Sequence, residues 1–401
     1  MHPSTLRHAA LHLGLFSTLL TGCAPINLTV RDITGLDARG ATVGDVNAQA
    51  SVGDVNASVN ASGLPGATGA SPAEPRPAEV APTPAPTPRA YAGTVSTLGG
   101  TARSGGNLVV DPQGHLLFVD GDAGEVRRMS PEGALETVAR LRGPGTRAIA
   151  LAPAGTLYVT EPGLSQVWKI PPGGEPVPFL GGSTVTFSGF EAGTGLDANI
   201  GHPTGLLVDA RGRLVVAAGN RLYRVSPEGQ ATLLVGDRYM AGRGELNWAE
   251  PGYHDGWEQA RFDRPTGLAQ APDGAILLAD LGNNFVRRVD EANQAVIGLA
   301  GGLKGLEPGF AEGRGGKVQF HHPSAVAVDH AGYVYVADTG NHRIRRVAPD
   351  GTTMTIAGGA VGHRDGQGGE AAFNGPTGIA LGPDGAIYVA DAGNARIRVI
   401  R

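Results

Sequence analysis

Five carboxylates recur at one position of a repeated sequence pattern. Each stands six residues after a turn glycine, and the third repeat has Ala218 in their place. They are Asp120, Glu161, Asp280, Asp338 and Asp391. Hard divalent cations take oxygen ligands, so carboxylates gathered at one channel mouth could bind a cation or a cationic ligand. The Asp-x-Gly-Asn context of the last three favours another interpretation, in which each carboxylate caps its own turn by accepting nearby backbone N–H groups.

Six histidines are the second set of residues that could do chemistry. They are His202, His254, His321, His322, His342 and His363. Three of them could hold Zn²⁺ across a channel mouth, but they share no repeat register and show no His-x-x-x-His spacing. No Gly-x-Ser-x-Gly nucleophile motif occurs either. We therefore predict no resident metal or other cofactor and no assignable catalytic residue, with a divalent cation at the carboxylates as the alternative.

The least repetitive stretch, residues 236–265, is rich in aromatic side chains. It contains Tyr239, Trp248 and Tyr253, followed by His254. Aromatic side chains on a surface loop often anchor protein partners or sugars. A long loop can also use its aromatics as a small core of its own. We predict these four residues as the ligand-binding set, and the mini-core remains the alternative.

A repeated unit must position all of these residues. Each of its six turn glycines is flanked by two short apolar segments, followed by a third segment that alternates apolar with cationic or polar residues. The glycines are Gly114, Gly155, Gly212, Gly274, Gly332 and Gly385. The alternation predicts that one face of each third strand is buried. Four antiparallel strands repeated every 40–60 residues or so predict an all-β fold, a six-bladed β-propeller.

The last repeat lacks its fourth strand, and the N-terminal side of the repeats supplies a match. Residues 93–100, Gly-Thr-Val-Ser-Thr-Leu-Gly-Gly, resemble residues 352–359 of the fifth repeat. We predict that this segment pairs with the last blade and closes the ring, because closure removes an exposed sheet edge. The propeller domain then spans residues 92–401.

Four junctions between repeats are long and share a pattern. They span residues 181–203, 236–265, 301–323 and 358–376, and in each an apolar residue precedes the closing proline by three positions. These apolar residues are Ile200, Phe262, Phe320 and Phe373. A feature repeated four times predicts packing between blades rather than one active site. We expect the four loops to form a wall on one face, which would carry the ligand site.

The repeats resemble the NHL repeat family. Residues 336–347, Val-Ala-Asp-Thr-Gly-Asn-His-Arg-Ile-Arg-Arg-Val, are close to its hallmark, and residues 389–398 repeat it. Pro-Thr-Gly at Pro203, Pro265 and Pro376 also fits the family. The resemblance implies a six-bladed propeller. It implies no single reaction, because such propellers include binding proteins, lyases, lactonase-like hydrolases and RNA binders.

The N-terminal residues are predicted to form a signal peptide and a tether. Residues 1–22 have a basic start followed by a short apolar run, which is typical of a signal peptide. Leu20-Thr21-Gly22-Cys23 resembles the lipobox of bacterial lipoproteins, which implies lipidation at Cys23. Residues 23–91 are rich in proline and alanine in their second half and predict a disordered tether. We expect a protein lipid-anchored in a bacterial cell envelope, at the outer membrane or cell surface.

Composition limits the remaining function classes. The formal net charge is −5 and the chain has only three lysines, so nucleic acid is a poor partner. The sequence favours a monomeric binding module for a protein, peptide or polysaccharide. The alternative is a propeller enzyme, either a metal-assisted lyase or a lactonase-like hydrolase.

Overall fold

The computed structural model describes residues 93–98, 106–141, 145, 148–182, 193–236, 252–302 and 307–401. All of them lie within the unit Ala85–Arg401. The predicted signal peptide, Cys23 and the tether lie outside the described residues, as do Tyr239 and Trp248. No helix in the described part of the chain is long and apolar enough to span a bilayer.

Six four-stranded antiparallel sheets form the blades of a propeller, in agreement with the predicted fold. The first, innermost strands are Leu108–Val110, Ile149–Leu151, Pro203–Val208, Pro265–Gln270, Pro323–Val328 and Pro376–Leu381. The second strands are Leu116–Asp120, Leu157–Glu161, Leu214–Ala218, Ile276–Asp280, Val334–Asp338 and Ile387–Asp391. The third strands are Glu125–Met129, Gln166–Ile170, Arg221–Val225, Phe285–Asp290, Arg343–Val347 and Arg396–Ile400. The fourth strands are Leu135–Arg140, Val177–Gly181, Ala231–Val235, Ala295–Ala300, Thr352–Gly358 and, for the last blade, Thr94–Leu98.

Helical structure among the described residues is confined to single 3-10 turns. They are Pro162–Leu164, Gly195–Asp197, Gly315–Lys317, Thr339–Asn341, Gly368–Glu370 and Ala392–Asn394. Four two-residue strands lie in the junctions: Gly313–Arg314, Ala360–Val361, Gly366–Gln367 and Ala372–Phe373. The turns between first and second strands have glycine at positive φ, as at Gly274 (φ +91°), because the tight hairpin needs a conformation that side chains with a Cβ disfavour.

The N-terminal strand closes the ring, as predicted. Val95 pairs with Ile400 and Leu98 pairs with Ile397 in an antiparallel register. The N–H of Thr94 donates to the carbonyl of Arg401 at 2.8 Å, and the N–H of Arg401 donates back at 3.1 Å. The last blade therefore consists of three strands from the C-terminal end of the chain and one from the N-terminal side.

The core consists of six apolar clusters, each between two neighbouring blades. Phe262 is fully buried between blades 3 and 4, where it packs with Ala217 and Leu268. Phe320 and Phe373 have the same role at the next two interfaces, and Ile200 fills the interface between blades 2 and 3. Burying a phenylalanine side chain contributes about 2–3 kcal/mol. The prediction that this repeated residue packs between blades is confirmed.

Described segments of two long junctions lie along blade edges rather than forming a wall over one face. Gly313 and Arg314 pair with Thr353 and Thr352 as a fifth strand of blade 5. Gly366 similarly pairs with Val95 in blade 6. The expected wall is therefore wrong for these segments. They cover the outer strand of the next blade, because an uncovered outer strand leaves backbone groups without partners.

Three third strands bury their cationic residues instead of exposing them. Arg287, Arg345 and Arg398 have exposed fractions of 0%. The expectation that only one face of each third strand is buried is wrong at these positions. The reason is that the long junctions bring backbone carbonyls onto the other face, where they accept hydrogen bonds from the guanidinium groups.

Candidate functional site

The repeated carboxylates each lie inside a hydrogen-bond network of their own blade. Asp280 accepts the backbone N–H of Asp263 at 2.8 Å, the side-chain amide of Asn283 at 2.8 Å and Nη1 of Arg287 at 3.0 Å. Burial raises the pKa of Asp280 to about 6, while Arg287 and the hydrogen-bond donors act in the opposite direction. Its oxygens are thus used to hold the junction, Asn283 and Arg287 together.

The next two blades repeat this network. Asp338 accepts from the N–H of His321, from Asn341 and from Arg345, at 2.8, 2.9 and 3.3 Å. Asp391 in the last blade has the corresponding three donors, at 2.7, 2.8 and 2.9 Å. Burial also raises the pKa of Asp338. Because the same network occurs in three blades, we assign these carboxylates a structural role.

The first two blades use simpler versions of the network. Asp120 accepts the N–H of Ala123 at 3.2 Å, which is the local turn cap that the sequence predicts. Glu161 accepts the indole N–H of Trp168 at 2.7 Å. In blades 4–6 the cap differs from that prediction, because the main-chain donor lies seventeen residues earlier, in the junction. Among the described residues, no three His, Cys, Asp or Glu side chains gather as a metal site.

The buried arginines hold the long junctions against the blades. Arg287 donates from Nη1 to the carbonyl of Arg261 at 3.1 Å and from Nη2 to the carbonyl of His254 at 2.8 Å. It also forms an ion pair with Asp255 at 2.9 Å. Its guanidinium carbon lies 5.2 Å from the ring centre of Phe262. This role was not predicted, although an arginine stands seven residues after each of Asp280, Asp338 and Asp391 in the sequence.

Two members of the predicted aromatic set are described, and both lie at the edge of blade 4. The ring of Tyr253 is 4.5 Å from that of Phe285 and 4.4 Å from the guanidinium carbon of Arg287. Its hydroxyl donates to Asp255 at 2.9 Å, and burial, together with this hydrogen bond, raises the pKa of Tyr253 to about 12. His254 is exposed, and its ring contacts the carbonyl of Asp255.

The described histidines are dispersed. His202 contacts the carbonyl of Pro162 at 2.9 Å, and Nδ1 of His342 accepts the N–H of Gly375 at 3.0 Å. His363 contacts the hydroxyl of Thr97 at 3.1 Å. Only the rings of His321 and His322 are close to each other, at 4.8 Å. Each histidine thus has a different local partner.

A large concave feature lies away from the predicted site residues. A cavity of about 1770 Å³ is lined by the inner strands and by the turns that join first and second strands. Its inner-strand walls carry apolar side chains such as Leu206, Leu268 and Ile379. The lining also contains polar and charged residues such as His330 and Arg346. Ligand sites usually combine apolar walls with polar groups that orient the ligand.

The cavity opens on the face opposite to the strand ends that carry the carboxylates. At that carboxylate-bearing end, the inner strands of blades 3 and 4 pack so closely that a Cβ on Gly205 would lie 1.9 Å from the carbonyl oxygen of Thr266. The cavity also continues between blades 1 and 2, where Leu117 and Leu157 line it. That interface has no described counterpart of Phe262. The only sequence signal for this cavity was the shortness of the junctions before blades 1 and 2.

Comparisons with known proteins place the chain in a family. The sequence profile of the Teneurin NHL domain matches residues 187–401. Teneurin-3 of Mus musculus is 26% identical over 342 residues, which cover 74% of this chain and 12% of the relative. Teneurin-4 of Homo sapiens is 28% identical over 331 residues, with 71% and 12% covered. The chain thus spans about an eighth of the length of these relatives.

Solved structures agree on the fold. An auxiliary nutrient binding protein from Bacteroides thetaiotaomicron superimposes with a TM-score of 0.59 at 18% identity, covering 77% of this chain and 76% of that protein. A streptogramin B lyase gives a TM-score of 0.52 at 14% identity, with 78% and 99% covered. The profile match extends over more than half of the chain and ends with the last blade. The chain belongs to the Teneurin NHL domain family.

Proposed function

We propose that this protein is a lipid-anchored, extracytoplasmic binding module that takes a protein, peptide or polysaccharide ligand as a monomer. The observation that carries this proposal is the cavity of about 1770 Å³, on the face formed by the turns that join first and second strands. Its apolar walls can bury ligand surface, and its polar rim can orient the ligand. The likeness to a nutrient binding protein supports a binding role.

The carboxylates support binding more than catalysis. A general acid or base must reach the reacting atoms, whereas Asp280, Asp338 and Asp391 are fully buried and hydrogen-bonded within their own blades. The cavity lining includes polar groups on exposed turns, such as that of His330. A surface of this composition recognises a ligand without needing to transform it.

A plug at the rim of the cavity tests the proposal. Ala154 is exposed and lines the cavity, so Ala154→Trp should obstruct it without disturbing the core. Arg211 has the same turn position in blade 3 and is not part of the lining, which makes Arg211→Trp the matched control. The full chain would be screened on a glycan array and with a displayed peptide library. Ligands that bind the wild type and Arg211→Trp, but not Ala154→Trp, support the proposal. Equal binding by all three proteins would refute the cavity as the site.

The predicted aromatic set belongs to the junction of residues 236–265, none of which lines the cavity. Tyr239, Trp248, Tyr253 and His254 remain the proposed ligand contacts there. Trp248→Ala should weaken binding about thirtyfold if the indole is a buried anchor. Loss of folding in the same variant would show instead that the aromatics form a core for the loop.

A propeller enzyme is the second candidate function. The likeness to a streptogramin B lyase favours it at the level of fold. A metal-assisted lyase would hold a divalent cation, so elemental analysis of the purified full chain is decisive for that version. One tightly held zinc per chain would favour the lyase. A lactonase-like hydrolase would instead show turnover of simple lactones.

Anchoring is tested separately from binding. The lipobox-like residues around Cys23 support lipidation at its sulfur. Cys23→Ser should move the protein from the membrane fraction to the soluble fraction. An unchanged membrane pool would contradict the lipoprotein assignment.

A further inference from the structure

In blades 3 to 6 a segment of the preceding junction lies along the fourth, outer strand, and we call this segment the cover. A glycine of the preceding junction lies opposite one fixed position of that strand, which is Ala231, Val296, Thr353 or Val95. The glycines are Gly193, Gly256, Gly313 and Gly366. Gly313 and Gly366 have φ of +140° and +149°, which residues with a Cβ rarely adopt. The cover is therefore an extended segment with glycine at a defined place.

In blades 5 and 6 a carboxylate next to the glycine completes the cover. Glu312 accepts the N–H of Thr355 at 2.8 Å. Asp365 accepts the N–H and the hydroxyl of Thr97 at 3.1 and 3.0 Å, and it pairs with the buried Arg398 at 2.7 Å. One carboxylate thus joins the outer strand to the arginine of the third strand.

Blade 1 has the same outer strand, and no described segment covers it. Its sheet has four strands, and no other described strand pairs with Leu135–Arg140. The preceding junction is only residues 99–107, whereas the cover of blade 5 comes from residues 301–322. By register, Leu135 corresponds to Thr353 and Val138 to Ile356. Leu135 and Val138 are 38% and 37% exposed, whereas Thr353 and Ile356 are 2% and 3% exposed.

No described segment covers the outer strand of blade 2 either, but a proline in that strand protects its edge. Pro178 lies opposite Trp168 and corresponds in register to Thr355 of blade 5. Proline has no N–H to donate at this position, which is a common way to protect an edge strand. In blade 1 the same position is Thr137, which keeps its N–H. Blade 1 therefore has an outer strand that no described segment covers and that can still form a sheet ladder.

The carboxylate of the missing cover is replaced from within blade 1. Glu125 accepts Nη2 of Arg127 at 2.9 Å and the hydroxyl of Thr137 at 3.4 Å. Arg127 and Thr137 correspond to the Arg398 and Thr97 that hold Asp365 in blade 6. An added segment would consequently need no acidic residue there, and an acidic residue would be repelled by Glu125.

We infer that the outer strand Leu135–Arg140 binds an extended, glycine-containing segment of a partner polypeptide by strand addition. The partner's glycine lies opposite Leu135, and the residue before it is uncharged. Backbone hydrogen bonds give such a complex its affinity, and the side chains beside them give it specificity. This deepens the proposed binding function. It uses the backbone edge of the strand rather than the Ala154 rim, although the Val138 side chain of the same strand lines the cavity.

A synthetic peptide can imitate the cover. The probe has the sequence of residues 310–317 with glutamine in place of the glutamate, Phe-Ala-Gln-Gly-Arg-Gly-Gly-Lys, and binding to the full chain is followed by fluorescence anisotropy. We expect saturable binding, at least tenfold weaker for Thr137→Pro and at least tenfold weaker for a probe with valine in place of its first glycine. The unmodified glutamate peptide should bind less tightly than the glutamine probe, and Glu125→Gln should reverse this preference.

The controls separate this inference from the cavity and from misfolding. Ala154→Trp should bind the probe as the wild type does, so failure of the cavity proposal leaves this result intact. Pro178 of blade 2 shows that the fold accepts proline at this position, and an unchanged melting temperature checks it for Thr137→Pro. If that variant does not fold, Leu135→Lys replaces it, because Leu135 is exposed and does not line the cavity.

Three results would overturn the inference. The first is a wild-type chain that does not bind the probe. The second is equal binding by the wild type and Thr137→Pro. The third comes from sedimentation: a wild-type dimer that Thr137→Pro dissociates would make a second copy, rather than a different polypeptide, the occupant of the edge.

Discussion

Removing one buried arginine tests the claim that these residues hold the junctions to the blades. Arg398 is 0% exposed and donates to the carbonyls of Ala372 and Arg364 at 3.0 and 2.8 Å. It also pairs with Asp391 at 2.9 Å and Asp365 at 2.7 Å. Arg398→Met keeps much of the packing volume but removes all four interactions.

The expected cost follows from these contacts. Breaking a buried ion pair by removing one partner costs about 3–5 kcal/mol, because the other charge stays buried without compensation. Asp391 is fully buried and would be that charge, whereas Asp365 is partly exposed and can be solvated. We therefore expect Arg398→Met to lower the free energy of unfolding by about 3–5 kcal/mol.

The matched control is an arginine in the equivalent strand of blade 4. Arg288 pairs with the exposed Asp273 at 2.7 Å, and exposed pairs contribute about 0–1 kcal/mol. Urea unfolding of Arg398→Met, Arg288→Met and the double variant Arg398→Met with Asp391→Asn provides the measurement. The double variant should recover part of the loss, because it removes the uncompensated charge. A loss for Arg398→Met no larger than that for Arg288→Met would refute the reasoning.

Three further outcomes are expected from the same fold. Deleting residues 93–100 should lower the melting temperature of the whole ring, because the last blade loses its fourth strand, whereas deleting residues 64–89 should leave it nearly unchanged; equal losses would contradict the closure. Phe320→Ala should cost about 3–5 kcal/mol in urea unfolding, whereas Phe310→Ala, at a ring that is 44% exposed, should cost much less. Burial acts to raise the pKa of Asp365, but hydrogen bonds from Thr97 and Arg398 outweigh it and lower the pKa. The stability it contributes is then present above its ordinary value of 3.8 and is lost as the pH falls through the lowered value. Asp365→Asn should flatten the fall of stability in acid, and an unchanged profile would contradict this assignment.

The blades and their closure could be predicted because their causes are local in the sequence. A glycine hairpin flanked by two apolar segments specifies a strand pair regardless of what surrounds it. The match between residues 93–100 and 352–359 gave the closing strand, and the Val95–Ile400 pairing confirms it. The residues that pack between blades could be predicted, because a feature repeated at four junctions is unlike a single active site. The burial of Phe262 agrees with this prediction.

The buried arginines could not be predicted from the strand pattern. A cation that alternates with apolar residues normally marks the solvent face of a strand. At Arg345 the partners are the carbonyls of Gln319 and Ala311, which come from a junction 26 and 34 residues earlier. The periodicity of one strand contains no information about such a distant contact. A guanidinium group can be buried here because the folded chain places these carbonyl acceptors within hydrogen-bonding distance of it.

The cavity and the open edge have one cause, which is that two junctions of the sequence are short. Long junctions supply both the apolar side chain that packs between two blades and the segment that covers the next outer strand, as residues 301–322 do in blade 5. The junctions before blades 1 and 2 are too short to do either. Between these blades the cavity therefore extends past Leu117 and Leu157, and no described segment covers the neighbouring strand Leu135–Arg140. Repetition makes the other interfaces equivalent, so the surfaces able to recognise a specific partner are concentrated where the repetition fails.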